Sequence, residues 1–142
     1  MPRANRYIIP GGIWHLTHRC HERAHLLRFS RDRERWRHWL FEAVKRHDLT
    51  VLTFCITCNH IHLVVRDKED GSIPRAIPRA MQLLQGRMAQ EYNTRKDRTG
   101  AYWEDRYHAT AVESGTHLLR CLCYVELNMV RAGAVAHPSE WM

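Results

Sequence analysis

The chain has 142 residues, and its 22 basic and 15 acidic side chains leave a formal net charge of +7. That length fits a single domain, 1–142, able to bury roughly two thirds of its unfolded surface without disulfides or a structural metal. No apolar run approaches the ~18–20 residues of a membrane span, and Met1-Pro2-Arg3 opens no apolar secretory leader, so a cytoplasmic protein without a membrane partner is expected.

Residues 13–19 (IWHLTHR) alternate as a half-buried strand does, after the turn signal Pro10-Gly11-Gly12. Ser30 is a good N-cap, and residues 31–47 then place Trp36, Trp39, Leu40, Ala43 and Val44 on one side of a helix. Residues 50–57 (TVLTFCIT) and 60–66 (HIHLVVR) read as two strands, joined as a hairpin through Cys58-Asn59. A charged turn at 67–71 leads to Ser72 as a cap. Ile77, Met81, Leu84, Met88 and Tyr92 then trace a helical stripe ending near Arg95, its start delayed or kinked by Pro78. Residues 102–113 read as a fourth strand carrying Tyr102, Trp103 and Tyr107. Ser114 caps a last helix to Arg131, and Gly133 stops it. The order β-α-β-β-α-β-α predicts an α+β, ferredoxin-like (RRM- or palm-like) fold. It has an antiparallel four-stranded sheet with helices on it, and an extra C-terminal helix carrying Tyr124.

Five cysteines without an export signal point to reduced thiols. Cys55 and Cys58 have CxxC spacing, and Cys121 with Cys123 are the conceivable other half of a zinc site. An offset of three on a strand puts the first pair on opposite faces, and an offset of two on a helix separates the second by about 200°. Small buried thiols are the better reading.

Of the basic residues 19 are Arg and 3 are Lys. The planar guanidinium grips phosphate bidentately and lies flat on bases, and the positive surplus favours a polyanionic partner, although GC-rich coding gives the same ratio. Arg31, Arg33, Arg35 and Arg37 either contact phosphates or form a solvated face, and because they spread around their helix the solvated face is the better reading.

Chemistry has two natural seats. On a strand, His60 and His62 project from one face while Ile61 enters the core, and two neutral imidazoles so placed chelate a divalent cation. His15 and His18, three apart, form no such pair. On the last helix His117, Arg120, Tyr124, Asn128 and Arg131 fall within an arc of about 80° at roughly 100° per residue, opposite a packing arc of Leu118, Leu122, Val125 and Met129. That side is either a solvated polar face or a nucleophile, a metal ligand and phosphate binders in one row. If the helix packs on the sheet face bearing His60 and His62, Asn128 completes a His-His-amide site with Tyr124 beside it.

Asn59-His60-Ile61-His62-Leu63-Val64-Val65 resembles the NHxHLLL segment of the HUH (His-hydrophobic-His) nucleases. Residues 124–133 (YVELNMVRAG) resemble the YIxxNPVRAG helix of REP-associated tyrosine transposases, single-tyrosine enzymes related to bacterial insertion-sequence transposases. Residues 10–19 (PGGIWHLTHR) are similar to the family's PGxxYHVTxR opening, and Gly86-Arg87, Arg98-Thr99-Gly100 and Trp103-Glu104-Asp105-Arg106-Tyr107 also sit where the family has similar residues. The likeness covers nearly the whole chain in order. The chain departs from it at Cys20 for Gly, at Cys58 for Pro and at Met129 for Pro, and relatives commonly continue beyond Trp141 through a WPWSS-like tail.

The resemblance implies a nucleoid-associated enzyme, monomer or homodimer, that cuts and rejoins single-stranded DNA beside hairpin-forming repeats. Tyr124 is then the nucleophile, forming a 5′-phosphotyrosyl intermediate, and His60, His62 and Asn128 hold Mg²⁺ or Mn²⁺. A free tyrosine titrates near 10 and needs such electrostatic help. Arg120 and Arg131 are either phosphate clamps or exposed charges. Arg3 and Arg6 in the opening segment, with Arg19, Arg87 and Arg106 in the shared motifs, are further candidate DNA contacts. His117 is a conceivable general base, though two turns away. Tyr102, Trp103 and Tyr107 either stack on unpaired bases or belong to the core. The alternative is a non-catalytic single-stranded DNA- or RNA-binding module of ferredoxin-like fold, which lacks support from an RNP1 pattern. A water-activating hydrolase with a structural Tyr124 is a third reading.

Overall fold

The computed structural model describes residues 12–67, 76–113 and 115–141. Four strands, β1 (Ile13–Arg19), β2 (Thr50–Ile56), β3 (His60–Arg66) and β4 (His108–Val112), form one antiparallel sheet in the order β2-β3-β1-β4. Between and after them run helices α1 (Ser30–His47), α2 (Ala76–Arg95), α3 (Thr116–Glu126) and α4 (Asn128–Arg131). This is the expected split βαβ arrangement, with β1 and β3 as the central pair.

The two faces of the sheet have different jobs. Trp14 and Leu16 of β1, with Ile61, Leu63 and Val65 of β3, point to the layer of α1 and α2. There they meet Trp36, Leu40, Ala43, Ile77, Met81, Leu84 and Met88 in the main core. The Ile77, Met81, Leu84, Met88 stripe is what the helical period of α2 requires. A second, smaller seam of Cys55, Val64, Val125 and Met129 seats α3 and α4 on the opposite face. Consequently β1 alternates between buried and half-buried residues, whereas Ile61 to Val65 of β3 are buried without a break.

Local irregularities steer this second layer. A register shift in β2 between Val51 and Thr53 leaves Leu52 exposed and turns Thr53 and Cys55 toward α3. Thr53 Oγ1 donates to Glu126 Oε1 at 3.3 Å. Gly133, with φ of 75°, takes the left-handed conformation that ends α4. The chain then returns to the sheet, where Trp141 Nε1 donates to the Ile56 carbonyl at 2.5 Å and the ring lies 4.3 Å beneath the Arg33 guanidinium.

Several expectations need correction. The fourth strand spans only His108–Val112, because residues 102–107 form an irregular segment with Asp105 at φ of 48°. That segment is pinned from the core side. Cys20 bridges to Trp103, Trp103 Nε1 donates to the Gln85 carbonyl at 3.0 Å, and His18 Nε2 donates to the Asp105 carbonyl at 2.9 Å. Tyr102 is buried in the core, as one of its two readings had it. The last helix breaks at Leu127, whose ψ of 8° separates α3 from α4. Ser30 opens α1 from within, and Phe29 holds the cap position without a side-chain cap. Arg33 is no part of a solvated face: it is buried and donates to the carbonyls of Leu27 and Arg28. Arg35 likewise is taken up by Glu91 of α2, at 2.6 Å. Pro10 and Gly11 of the expected turn, the cap Ser72, most of the turn at 67–71 and the cap Ser114 lie outside the described residues.

Candidate active site

Alternation along β3 puts His60 and His62 on the sheet face away from α1 and α2, their ring centroids 5.1 Å apart. The hairpin turn before them fixes the first ring. Thr57 N–H donates to the His60 carbonyl at 2.8 Å, and His60 Nδ1 lies 2.8 Å from Thr57 Oγ1 and 2.9 Å from Asn59 Oδ1. An amide oxygen only accepts, so Nδ1 carries the proton and the lone pair of His60 is on Nε2. Across the cleft, Asn128 Nδ2 lies 3.3 Å from His62 Nε2. An amide nitrogen only donates, so His62 also keeps its lone pair on Nε2.

Tyr124 stands one helical turn before Asn128 and about half exposed, its ring edge-on to His62 at 5.9 Å between centroids. The Arg131 guanidinium lies 4.0 Å from the centroid of the same ring and braces its face. Val125 and Met129, buried against Val64 and Cys55, hold the helix in this register. The four residues singled out on two distant segments therefore converge on one cleft of about 530 Å³, lined also by Thr17, Arg19, Glu104, Arg106 and His108.

The electrostatics favour uncharged rings. Burial pushes the His62 imidazole down to about 3, helped by His60, His15 and Arg131 around it. Burial lowers His60 as well, with Arg19 adding to the effect, and burial lowers His15. Two neutral imidazoles and a carboxamide form a donor set with the chemistry to hold a divalent cation and leave positions open for substrate oxygens. Among the described residues no three His, Cys, Asp or Glu side chains converge as an alternative metal cluster.

The remaining candidates divide. Arg19 and Arg106 line the cleft, whereas Arg120 is exposed on α3 and is not among its lining residues. Arg87 lies on α2 with its guanidinium 5.9 Å from the Trp39 ring, in the layer across the sheet. Arg3 and Arg6 fall outside the described residues. His117 accepts a hydrogen bond from the Glu113 backbone N–H at 3.0 Å, near the start of α3. Trp103 stacks on His18 at 4.6 Å, and Tyr107 meets the same ring edge-on at 6.3 Å.

One site residue escaped the sequence reading. His15 of β1 is stacked against His62 at 5.2 Å, with its Nε2 only 3.0 Å from His62 Nδ1, and its ring is edge-on to Tyr124 at 6.4 Å. The signal lay across strands. In the β1·β3 register Thr17 faces His62, which places His15 on the diagonal of the same face.

Comparison with known proteins agrees with this architecture. The family model described as "Transposase IS200 like" matches residues 11–128, a span that holds His60, His62, Tyr124 and Asn128. The solved structure of a REP-associated tyrosine transposase bound to a REP hairpin is similar with a TM-score of 0.72 at 19% identity. It covers 99% of this chain and 80% of that one. A structure of a candidate transposase from Deinococcus radiodurans R1 is similar with a TM-score of 0.56 at 13% identity, covering 94% of this chain and 98% of that one. No curated protein matches the sequence. Both solved structures speak for the fold, the four-stranded antiparallel α+β sheet with its helices. With the family model covering most of its length, the chain belongs to the IS200-like transposase family.

Proposed function

We propose that this protein is a divalent-metal-dependent single-stranded DNA endonuclease and strand transferase that works through Tyr124. The observation that carries the reading is the convergence of His60 and His62 from β3 with Asn128 and Tyr124 from the terminal helices on one open cleft. Tyr124 Oη attacks a backbone phosphorus, forming the phenolic O–P bond and breaking the bond to the 3′ oxygen. The products are a 5′-phosphotyrosyl link and a free 3′-hydroxyl, and the proton lost by the phenol is balanced by one taken up on the departing oxygen. Because the phosphodiester energy is conserved in the link, a second strand's 3′-hydroxyl reverses the step without a nucleotide cofactor.

The residues present fit Mg²⁺ or Mn²⁺, the latter accepting imidazole more readily: Nε2 of His60, Nε2 of His62 and the carboxamide of Asn128 would hold the cation. When bound, such a cation would polarise the scissile phosphate and offset the charge that builds on its oxygens. Arg131 keeps the Tyr124 ring from swinging along the helix, and Arg19 and Arg106 at the cleft wall neutralise backbone phosphates. Half-exposure of Tyr124 suits attack on a strand laid across an open cleft rather than on a small molecule enclosed in a pocket.

For the substrate, the fold is shared with a protein solved on a REP hairpin, which supports hairpin-forming single-stranded DNA as the partner here. The test is a labelled single-stranded hairpin incubated with the protein and Mn²⁺, then resolved on a denaturing gel. Wild type gives a slow-migrating covalent adduct and a cut strand, both lost in Tyr124→Phe, in His60→Ala and on chelation. Cutting by Tyr124→Phe without an adduct identifies a water-activating hydrolase, and binding without cutting by wild type identifies a binding module. Either result overturns the proposal.

A further inference from the structure

His60 and His62 are held by different devices. The Nδ1 proton of His60 is claimed within its own hairpin turn, by Asn59 Oδ1 at 2.9 Å with Thr57 Oγ1 at 2.8 Å. That local arrangement is set as soon as the turn forms. His62 sits two residues further, beyond the reach of the turn, and its Nδ1 meets a side chain from another strand, His15 Nε2 at 3.0 Å.

Donor and acceptor roles along this line follow from the Asn128 amide in its observed orientation. Asn128 Nδ2 has only protons to offer, so His62 Nε2, 3.3 Å away, accepts. A neutral imidazole with an acceptor at Nε2 carries its proton on Nδ1, so His62 Nδ1 donates to His15. His15 Nε2 therefore accepts and its own proton is on Nδ1. The near-parallel rings, 21° apart and 5.2 Å between centroids, restrict rotation of the His62 ring in the same contact.

We propose that His15 is a positioning residue for His62: it holds the His62 imidazole in the Nδ1–H tautomer and in one orientation, so that the Nε2 lone pair faces Asn128 and the cleft. Without an acceptor at this point, the His62 proton is free to occupy Nε2, and the nitrogen that faces Asn128 then has no lone pair to give. The device also ties ligand geometry to the pairing of β1 with β3, because His15 reaches His62 only in the observed register, with Thr17 opposite His62. As a partner outside the ligand set, it belongs with the groups whose loss typically costs a metal site about 10–100-fold in affinity.

The metal arm of this inference rests on the function proposed above, whereas the tautomer arm does not. The experiment therefore reads both. Long-range ¹H–¹⁵N NMR of the metal-free protein, at a pH where the rings are neutral, reports which nitrogen of His62 is protonated. Electron paramagnetic resonance of free Mn²⁺ reports affinity without DNA. Wild type shows His62 as Nδ1–H. His15→Phe keeps an aromatic ring but removes the acceptor. It shifts His62 toward Nε2–H and weakens Mn²⁺ binding by about 10–100-fold. His15→Gln, which restores an acceptor oxygen, returns the tautomer and brings affinity to within a few-fold of wild type.

If wild type binds no Mn²⁺ yet the His62 tautomer still follows the residue at position 15, the positioning role stands and the metal reading falls. If His62 stays Nδ1–H in His15→Phe, the positioning role is overturned. The same holds if His15→Gln lowers Mn²⁺ affinity as much as His15→Phe does.

Discussion

At His62, burial and the neighbouring His60, His15 and Arg131 bring the imidazole from its ordinary 6.5 down to about 3. The unfolded chain therefore binds one more proton at this residue than the native state does between those two values. The contribution of neutral His62 to stability is fully present above 6.5 and is lost as pH falls toward 3. His15 and His60, lowered by the same cause, act in the same direction. Urea midpoints measured from pH 7 to pH 5 fall for wild type, and His62→Gln removes up to one proton's worth of that slope. An unchanged slope in the variant contradicts the buried neutral ring. The pair itself was legible because alternate residues of a strand share a face. His15 was not, because a residue's cross-strand neighbours depend on register, and no periodicity within residues 13–19 encodes which residue of β3 lies opposite.

Among the elements, α3 is the one that carries Tyr124 into the cleft and whose seat is smallest. The Val125 and Met129 seam on Val64 and Cys55 is slight beside the core under α1 and α2, so α3 opens at lower free energy than the central strands. Hydrogen exchange then shows weaker protection of α3 amides than of β1 and β3 amides. Val125→Ala removes two buried carbons, worth about 0.8 kcal/mol each, and lowers α3 protection by roughly tenfold while leaving β1 and β3 unchanged. Equal losses in both regions contradict a separately opening layer. The amphipathic arcs of the last helix were readable from its 3.6-residue period, and Val125 and Met129 do face the sheet. The break at Leu127 was not, since neither Gly nor Pro marks it. The overlong fourth strand has a related cause. Tyr102, Trp103 and Tyr107 have the composition of a strand, but tertiary hydrogen bonds from His18 and to the Gln85 carbonyl bend residues 102–107 out of the sheet.

For the whole molecule, element order alone led to the topology, because β-α-β-β-α-β has few ways to close an antiparallel sheet with both helices on one face. Charge was less informative than its total suggested. Arg33 is buried against main-chain carbonyls, Arg35 is paired with Glu91 and Arg95 with Asp32, so part of the arginine surplus fastens α1 to its surroundings instead of facing a polyanion. Among the described residues no helix is long and apolar enough to cross a membrane. The proposed chemistry depends on where α3 delivers its phenol. Mass spectrometry of the protein after reaction with a single-stranded hairpin and Mn²⁺, digested with trypsin and nuclease, tests it most directly. The proposed mechanism leaves a 5′-nucleotide phosphate on the peptide 121–131, whose one tyrosine is Tyr124. Cut DNA with that peptide unmodified, or with the adduct on another residue, contradicts it.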